Sequence, residues 1–340
     1  MTSEDVLDAH RETVRAFARP DGPLGQNSPN ASIQNPDWFV GGNVQYARPE
    51  RLDLHERLLQ EHRDEHPGVR QDRRAIVLAG PPGAGKSTHL TQRLGLEKSR
   101  WLRIDADDFK VKLLEAAQAD GSFEGFLKPQ AVAEREAAGE KFYPLELASL
   151  VHEESSHLAK LARERALLDG TNVVVDSVLS NPQKAEILGW QLEAAGYTVE
   201  VLDVEVPFEV SEAGIRSRWR QEYSIAMSGD ESLGGRWVPS QYARDVFDPA
   251  TGRARSQESA ERLATTCDSV LTYRRYWREA ENAPSNIEVD KVRLNPGGQL
   301  MPRHLAEGTG RGAGSSATLP EQRRPDPPRH DPPTQKGPQQ

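Results

Sequence analysis

Eight consecutive residues, Gly80-Pro-Pro-Gly-Ala-Gly-Lys-Ser87, satisfy the pattern G-x-x-x-x-G-K-[ST] at every constrained position. Glycines there let the backbone curl until successive N–H groups face inward. Such a cradle holds phosphate oxygens, and a helix starting just beyond it adds its positive N-terminal end. Gly80, Gly83, Ala84, Gly85, Lys86, Ser87 and Thr88 are therefore expected to contact a nucleotide. Lys86 would reach the β and γ phosphates, the Ser87 hydroxyl would ligate Mg2+, and Thr88 would meet another phosphate. The run Ala75-Ile-Val-Leu-Ala79 just before the loop is continuously apolar, as a strand buried on both faces is. That context separates the motif from a glycine-rich turn that binds nothing. The loop alone does not distinguish a kinase from a GTPase or an ATPase.

Acids and arginines follow at positions that suit phosphoryl transfer. Asp105, Asp107 and Asp108 come directly after the apolar stretch 101–104, and open α/β sheets collect ligands at the carboxyl ends of their strands. Asp107 is the acid expected to take the proton of an attacking hydroxyl. In a purely structural reading Asp108 N-caps a helix starting at Phe109, and Asp105 orients the loop. Asp176 closes the run Val173–Val175, where an acid can hold Mg2+ through water or merely form a turn. Arg216, Arg218 and Arg220 precede a glycine-rich stretch, 228–235, and then Arg236-Trp-Val-Pro239. Helix, flexible loop and arginine in that order suit a lid whose cations, Arg218 and Arg236, meet charge on the migrating phosphoryl group. Arg216 and Arg220 read as a solvated face. His152 and His157 bracket a segment similar to a zinc motif, but five residues turn a helix far enough that they do not share a face, so zinc is not expected there.

The elements that must position these residues alternate. Strands are expected at 75–79, 101–104, 173–175 and 197–206. Helices are expected at 145–168 and from the Asn181-Pro182 start to Gly196, with a helical pattern over 256–277 and a short strand at 287–292. This order implies an α/β fold, a doubly wound, mostly parallel sheet. Val6, Leu7, His10, Val14 and Phe17, and then Leu52, Leu58 and Leu59, recur at helical spacing, so residues 1–70 read as a helical N-terminal extension without a catalytic motif. Residues 71–295 form the catalytic domain. Residues 296–340, dense in proline and glycine and poor in large apolar side chains, read as a disordered tail.

The bulk composition excludes several classes. The formal charge is −9 and no long Lys/Arg block occurs, so no nucleic-acid partner is expected. A mean hydropathy of −0.71 fits a chain that is unfolded in part. No run is apolar enough for a membrane span, no signal peptide is evident, and the single cysteine, Cys267, cannot form an internal disulfide. A cytoplasmic location is expected.

Together these residues resemble the zeta toxin family of P-loop kinases, whose members phosphorylate the 3'-hydroxyl of UDP-N-acetylglucosamine and similar UDP-amino sugars. The matching pieces are Gly80 to Thr88, Ile104-Asp-Ala-Asp-Asp-Phe-Lys110, Val174-Val-Asp176, the Arg218 segment and Gly235-Arg-Trp-Val-Pro239, spread over roughly residues 73–295. The resemblance implies a fold of the P-loop kinase type, ATP and Mg2+ as cofactors handled by Lys86 and Ser87, Asp107 as base, Arg218 and Arg236 as a phosphate clamp, a UDP-sugar substrate and an antitoxin partner. After its third strand the family often carries Glu-Gly-Thr and then Arg, whereas this chain reads Asp176-Ser-Val-Leu-Ser180. The alternatives are a P-loop kinase for another small alcohol and a nucleotide-gated binding module. A further expectation is that the extension covers the ATP site as a built-in inhibitor.

Overall fold

The computed structural model describes residues 3–229 and 232–310. Two helices open the chain, α1 (Ser3–Phe17) and α2 (Pro49–Asp64). The body then runs β1 (Arg74–Ala79), α3 (Lys86–Leu94), β2 (Leu102–Ile104), α4 (Ala106–Asp120), α5 (Gln130–Ala137), α6 (His152–Leu168), β3 (Val173–Asp176), α7 (Pro182–Ala194), β4 (Thr198–Glu205), α8 (Phe208–Met227), α9 (Ser240–Asp245), α10 (Ser256–Thr266), β5 (Val270–Trp277), β6 (Asn286–Val292), β7 (Met301–Pro302) and α11 (Arg303–Gly310). The strands form one sheet in the order β2-β3-β1-β4-β5-β6-β7. The first five are mutually parallel, and β6 and β7 add antiparallel at the far edge. This is the expected doubly wound α/β sheet, and the strand order reverses beside β1, so a crevice opens where the loop after β1 emerges.

β1 is central because its apolar residues from Ala75 to Ala79 are all buried, with helices on both faces of the sheet. Its register sets Val77 beside Val175 and Leu78 beside Asp176, and on the other side Ala79 beside Asp203. The turn after β1 and the acid ending β3 are thereby brought to one level.

Three expectations need correction. The pattern over 256–277 is not one helix: α10 ends at Thr266, and residues 270–277 form β5, parallel to β4. Val270-Leu-Thr-Tyr-Arg-Arg-Tyr-Trp277 is rich in the aromatic and β-branched residues that suit a pleated surface, and Tyr273 is fully buried against the sheet. Helix 145–168 divides into a 3-10 turn, Pro144–Val151, followed by α6. The tail also begins later than residue 296, since β7 and α11 are formed; residues 311–340 lie outside the described residues.

The N-terminal extension is built into the body. Val14, Leu24, Leu58 and Leu59 share one apolar core with Val77, Leu113, Val175 and Trp219. Fully buried Glu154 on α6 accepts from Arg51 Nε at 2.5 Å and Nη2 at 2.8 Å, and pairs with His55 Nε2 at 2.7 Å. His10 lies between Glu140 and Glu146, at 2.7 and 2.9 Å, and Trp219 Nε1 donates to the same Glu146 oxygen. Among the described residues, no helix is long and apolar enough to cross a membrane.

Candidate functional site

The loop after β1 owes its shape to close backbone approach. Gly80 has φ +130°, and a Cβ there would sit 2.0 Å from the Val204 carbonyl oxygen; at Gly83, φ +76°, a Cβ would sit 2.4 Å from the Ser211 carbonyl oxygen. Neither place admits a side chain. Ser211 Oγ on α8 donates to the Pro82 carbonyl at 2.6 Å and fastens the loop to that helix. Lys86 Nζ donates back to the carbonyls of Gly80 and Pro81 at 2.9 and 3.3 Å, and burial lowers its pKa against the opposing pull of Asp176 and Asp105.

A cleft of about 450 Å³ opens over this loop. Gly83, Ala84, Gly85, Lys86, Ser87, Asp107, Asp176, Arg218 and Arg236 all line it, so the structure gathers sequence-distant site residues in one place. Gly80 and Thr88 do not line it: Gly80 lies against β4, and Thr88 is exposed on the first turn of α3.

The acids are held by cations. Arg103 on β2 donates to Asp176 at 2.9 Å, grips Asp105 with the same nitrogen, and lies 3.6 Å from Asp108. Asp105, and not Asp108, is the N-cap of α4, accepting from the Asp107 amide at 2.9 Å. Burial together with the charges of Asp107 and Asp176 raises Asp105 to about 7, with Arg103 pulling the other way. Asp107 behaves oppositely. Burial would raise it, but Arg236 at 2.7 Å, Lys110 at 3.0 Å and the more distant Arg218 hold it well below the usual carboxylate range.

Of the three clustered arginines, only Arg218 reaches the cleft. Arg216 is exposed, and Arg220 pairs with Glu4 and Asp8 of α1 at 3.1 and 3.7 Å. The segment carrying Arg236 lies flat on α8, where a Cβ on Gly235 would stand 2.2 Å from the Trp219 carbonyl oxygen, and Trp237 packs edge-on against Trp219 at 5.8 Å. The histidines of α6 part company as the helical geometry requires: His152 lines the cleft, while His157 faces His55 at 6.2 Å. His152 is pushed down to about 4, chiefly by burial and then by Lys110, so it is neutral.

Some lining residues had no motif to announce them. Gln26 and Asn27, in the turn that follows α1, line the cleft with Pro20 and Gly25. Ser177 and Trp237 also line it, and the buried Ser177 hydroxyl and Trp237 indole N–H find no hydrogen-bond partner among the described residues. Ser177 lies within the stretch that departs from the family pattern, which is the one signal that could have drawn attention to it.

Comparisons with known proteins bear on the family and the fold. Residues 133–280 match the Zeta toxin family model. The resemblance to zeta toxins is thereby borne out over α6, β3 and the Arg218 and Arg236 segments. The phosphate loop and Asp107 precede the matched range and stand on their own geometry. No curated protein matches. Among solved structures, the AvrRxo1-ORF1:-ORF2 complex with ATP superposes with a TM-score of 0.51 at 18% identity, covering 83% of this chain and 80% of that one. A structure of the PezAT chromosomal toxin-antitoxin system of Streptococcus pneumoniae aligns at 15% identity over 73% of this chain and 84% of that one, with a TM-score of 0.48. The first of these shows that the fold is shared.

Proposed function

We propose that this protein is an ATP-dependent kinase that transfers the γ-phosphoryl group to a hydroxyl of a UDP-sugar, by family resemblance the 3'-hydroxyl of UDP-N-acetylglucosamine, and that it acts in the cytoplasm as the toxin of a toxin-antitoxin pair. The observation that carries this reading is the convergence of Lys86, Asp107, Arg218 and Arg236 on one cleft above an amide cradle.

The loop amides between Gly83 and Ser87 bind the phosphates, and Lys86 leaves its own loop carbonyls to take up the β and γ oxygens. Ser87, Asp176 and Asp105 supply hard oxygen donors, the set that Mg2+ prefers, and the crowding that raises Asp105 is what a cation would relieve. When bound, the ion neutralises charge on the phosphate oxygens. Asp107 accepts a hydrogen bond from the acceptor hydroxyl. As the new O–P bond forms and the bond to the β–γ bridging oxygen breaks, the hydroxyl proton passes to an Asp107 oxygen and ADP leaves. The low pKa of Asp107 belongs to the nucleotide-free cleft. Phosphate charge opposes Arg218 and Arg236 and raises Asp107 toward the range of a working base. The loose transition state of phosphoryl transfer also asks more of positioning than of base strength.

Incubating the protein with Mg-ATP and a panel of UDP-sugars, followed by mass spectrometry, tests the proposal. A phosphorylated UDP-sugar and ADP are expected, both lost in Asp107→Asn while ATP still binds. If another alcohol is phosphorylated and no UDP-sugar is, the acceptor is wrong but the kinase stands. If Lys86→Ala leaves ATP affinity and turnover intact, the kinase reading itself fails. Ser177 and the Gln26–Asn27 turn favour a UDP-sugar relative or another polar alcohol as the second reading, because they replace the usual contacts with a different set of polar groups.

A further inference from the structure

The end of α2 carries a second cluster, none of whose three residues lines the nucleotide cleft. His62, Glu65 and His66 can each offer one ligand atom, and these atoms lie within 4.8 Å of one another. His62 is only 1% exposed, packs on Phe109 with ring centroids 4.9 Å apart, and, with the Arg103 backbone nearby, neither of its ring nitrogens makes a hydrogen bond of full geometry among the described residues. An imidazole buried with both nitrogens unsatisfied is costly, and interiors seldom keep one without a use. His66 is already oriented: its Nδ1 donates to the His62 carbonyl at 2.9 Å, leaving Nε2 with a free lone pair. Fixing one ring nitrogen on a carbonyl is how metal-ligating histidines are held.

We propose that His62, Glu65 and His66 bind a divalent transition-metal ion of zinc's class, with water completing the coordination. Two imidazoles and one carboxylate suit such an ion and do not suit Mg2+ or Ca2+, which take oxygen ligands. A cavity of about 840 Å³ opens beside the cluster and gives the ion and its waters a route in. The position at the carboxyl end of α2 favours a cation through the exposed carbonyls there. The surrounding charges are mixed. Lys112 is paired with Glu65 and gives way to the metal, Lys98 and Arg103 line the cavity, and Asp108 and Glu115 offset them. In sequence the site is His62-x-x-Glu-His66, and the spacing brings all three residues to one side of a helix end.

The full chain, freed of metal with a chelator and carrying no histidine tag, is titrated with Zn2+ by calorimetry and with Co2+ by visible absorption. One equivalent of Zn2+ is expected, with a Co2+ spectrum of low coordination number, an affinity unaffected by a large excess of Mg2+, and a rise in melting temperature with Zn2+. His66→Ala, at a half-buried position, is expected to weaken binding at least tenfold and to abolish the rise in melting temperature; His62→Asn is expected to do the same. Absence of saturable binding, one equivalent that His66→Ala leaves in place, or displacement by Mg2+ each overturns the proposal. ATP turnover is not the readout, so the outcome is independent of the kinase assignment.

Discussion

Asp105 and Asp107 stand two residues apart and titrate in opposite directions. Asp107 is pinned by Arg236 and Lys110, whereas Asp105 shares its surroundings with two other carboxylates and is raised to about 7. If ionised Asp105 helps to hold the cation, kcat/KM for ATP is expected to rise with pH through about 7, because that ratio reports the free protein. Arg103 is the cation that lowers Asp105, so Arg103→Gln is expected to move the midpoint upward, and Asp105→Asn to remove it. A pH profile of the three proteins decides, and an unshifted midpoint in Arg103→Gln contradicts the assignment. Lys86, Asp107 and Asp176 were legible in the sequence because each follows a recognisable strand or motif. Arg103 was not. It occupies the middle of a three-residue strand and gains meaning only when β2 pairs with β3, Ile104 beside Val175, bringing its guanidinium to Asp176.

Glu154 shows how the elements are joined. It lies wholly buried on α6 and fastens α2 through Arg51 and His55. Glu154→Gln leaves Arg51 buried opposite a neutral amide, and breaking a buried ion pair from one side costs about 3–5 kcal/mol, read from denaturant unfolding. Burial acts to raise Glu154, but Arg51 and His55 outweigh it and lower its pKa to about 2. The folded value is thus depressed, so the stabilisation is complete above about 4.5 and is lost as pH falls toward about 2. Glu154→Gln is expected to flatten that acid limb. His10 on α1 works with the opposite sign. Burial opposes, but Glu146 and Glu140 prevail and raise its pKa above 6.5, so its contribution is complete below 6.5 and is lost as pH rises through the higher folded value. Amide exchange in α1, corrected for intrinsic rates, is expected to quicken over that rise in the wild type and to show no such step in His10→Gln. These anchors explain why sequence set the extension apart from the catalytic domain: Arg51, His55 and Glu154 are residue types that ordinarily mark a surface, and their pairing joins residues about 100 positions apart. β5 was hidden for a related reason. Its arginines, Arg274 and Arg275, break the apolar run that marks β1, and their charges are met by Asp290 and Asp203 on the neighbouring strands.

At the scale of the whole molecule, the extension and the sheet make one cleft. The turn after α1 places Gln26 and Asn27 on its wall, together with the phosphate loop and the Arg236 segment. Both amides are exposed and carry no hydrogen bond to other described residues, so each offers a donor and an acceptor to a polar ligand. A built-in inhibitor and an acceptor wall make opposite demands on these residues. An inhibitor would be relieved by trimming them, and turnover would rise. A wall that reads the acceptor would lose contacts, so KM for the acceptor would rise while KM for ATP stayed put. The second outcome is expected for Gln26→Ala with Asn27→Ala. An increase of about tenfold corresponds to roughly 1.4 kcal/mol, the size of one or two lost neutral hydrogen bonds. Deleting residues 1–70 cannot make this distinction, because it removes Arg51 and His55 from buried Glu154 and His10 from Glu146, and is expected to destabilise the body along with the extension. The double substitution touches neither the core nor the anchors, so its melting temperature should match the wild type, and a rise in turnover at unchanged stability would show the turn to be a restraint on the cleft and not part of its reading surface.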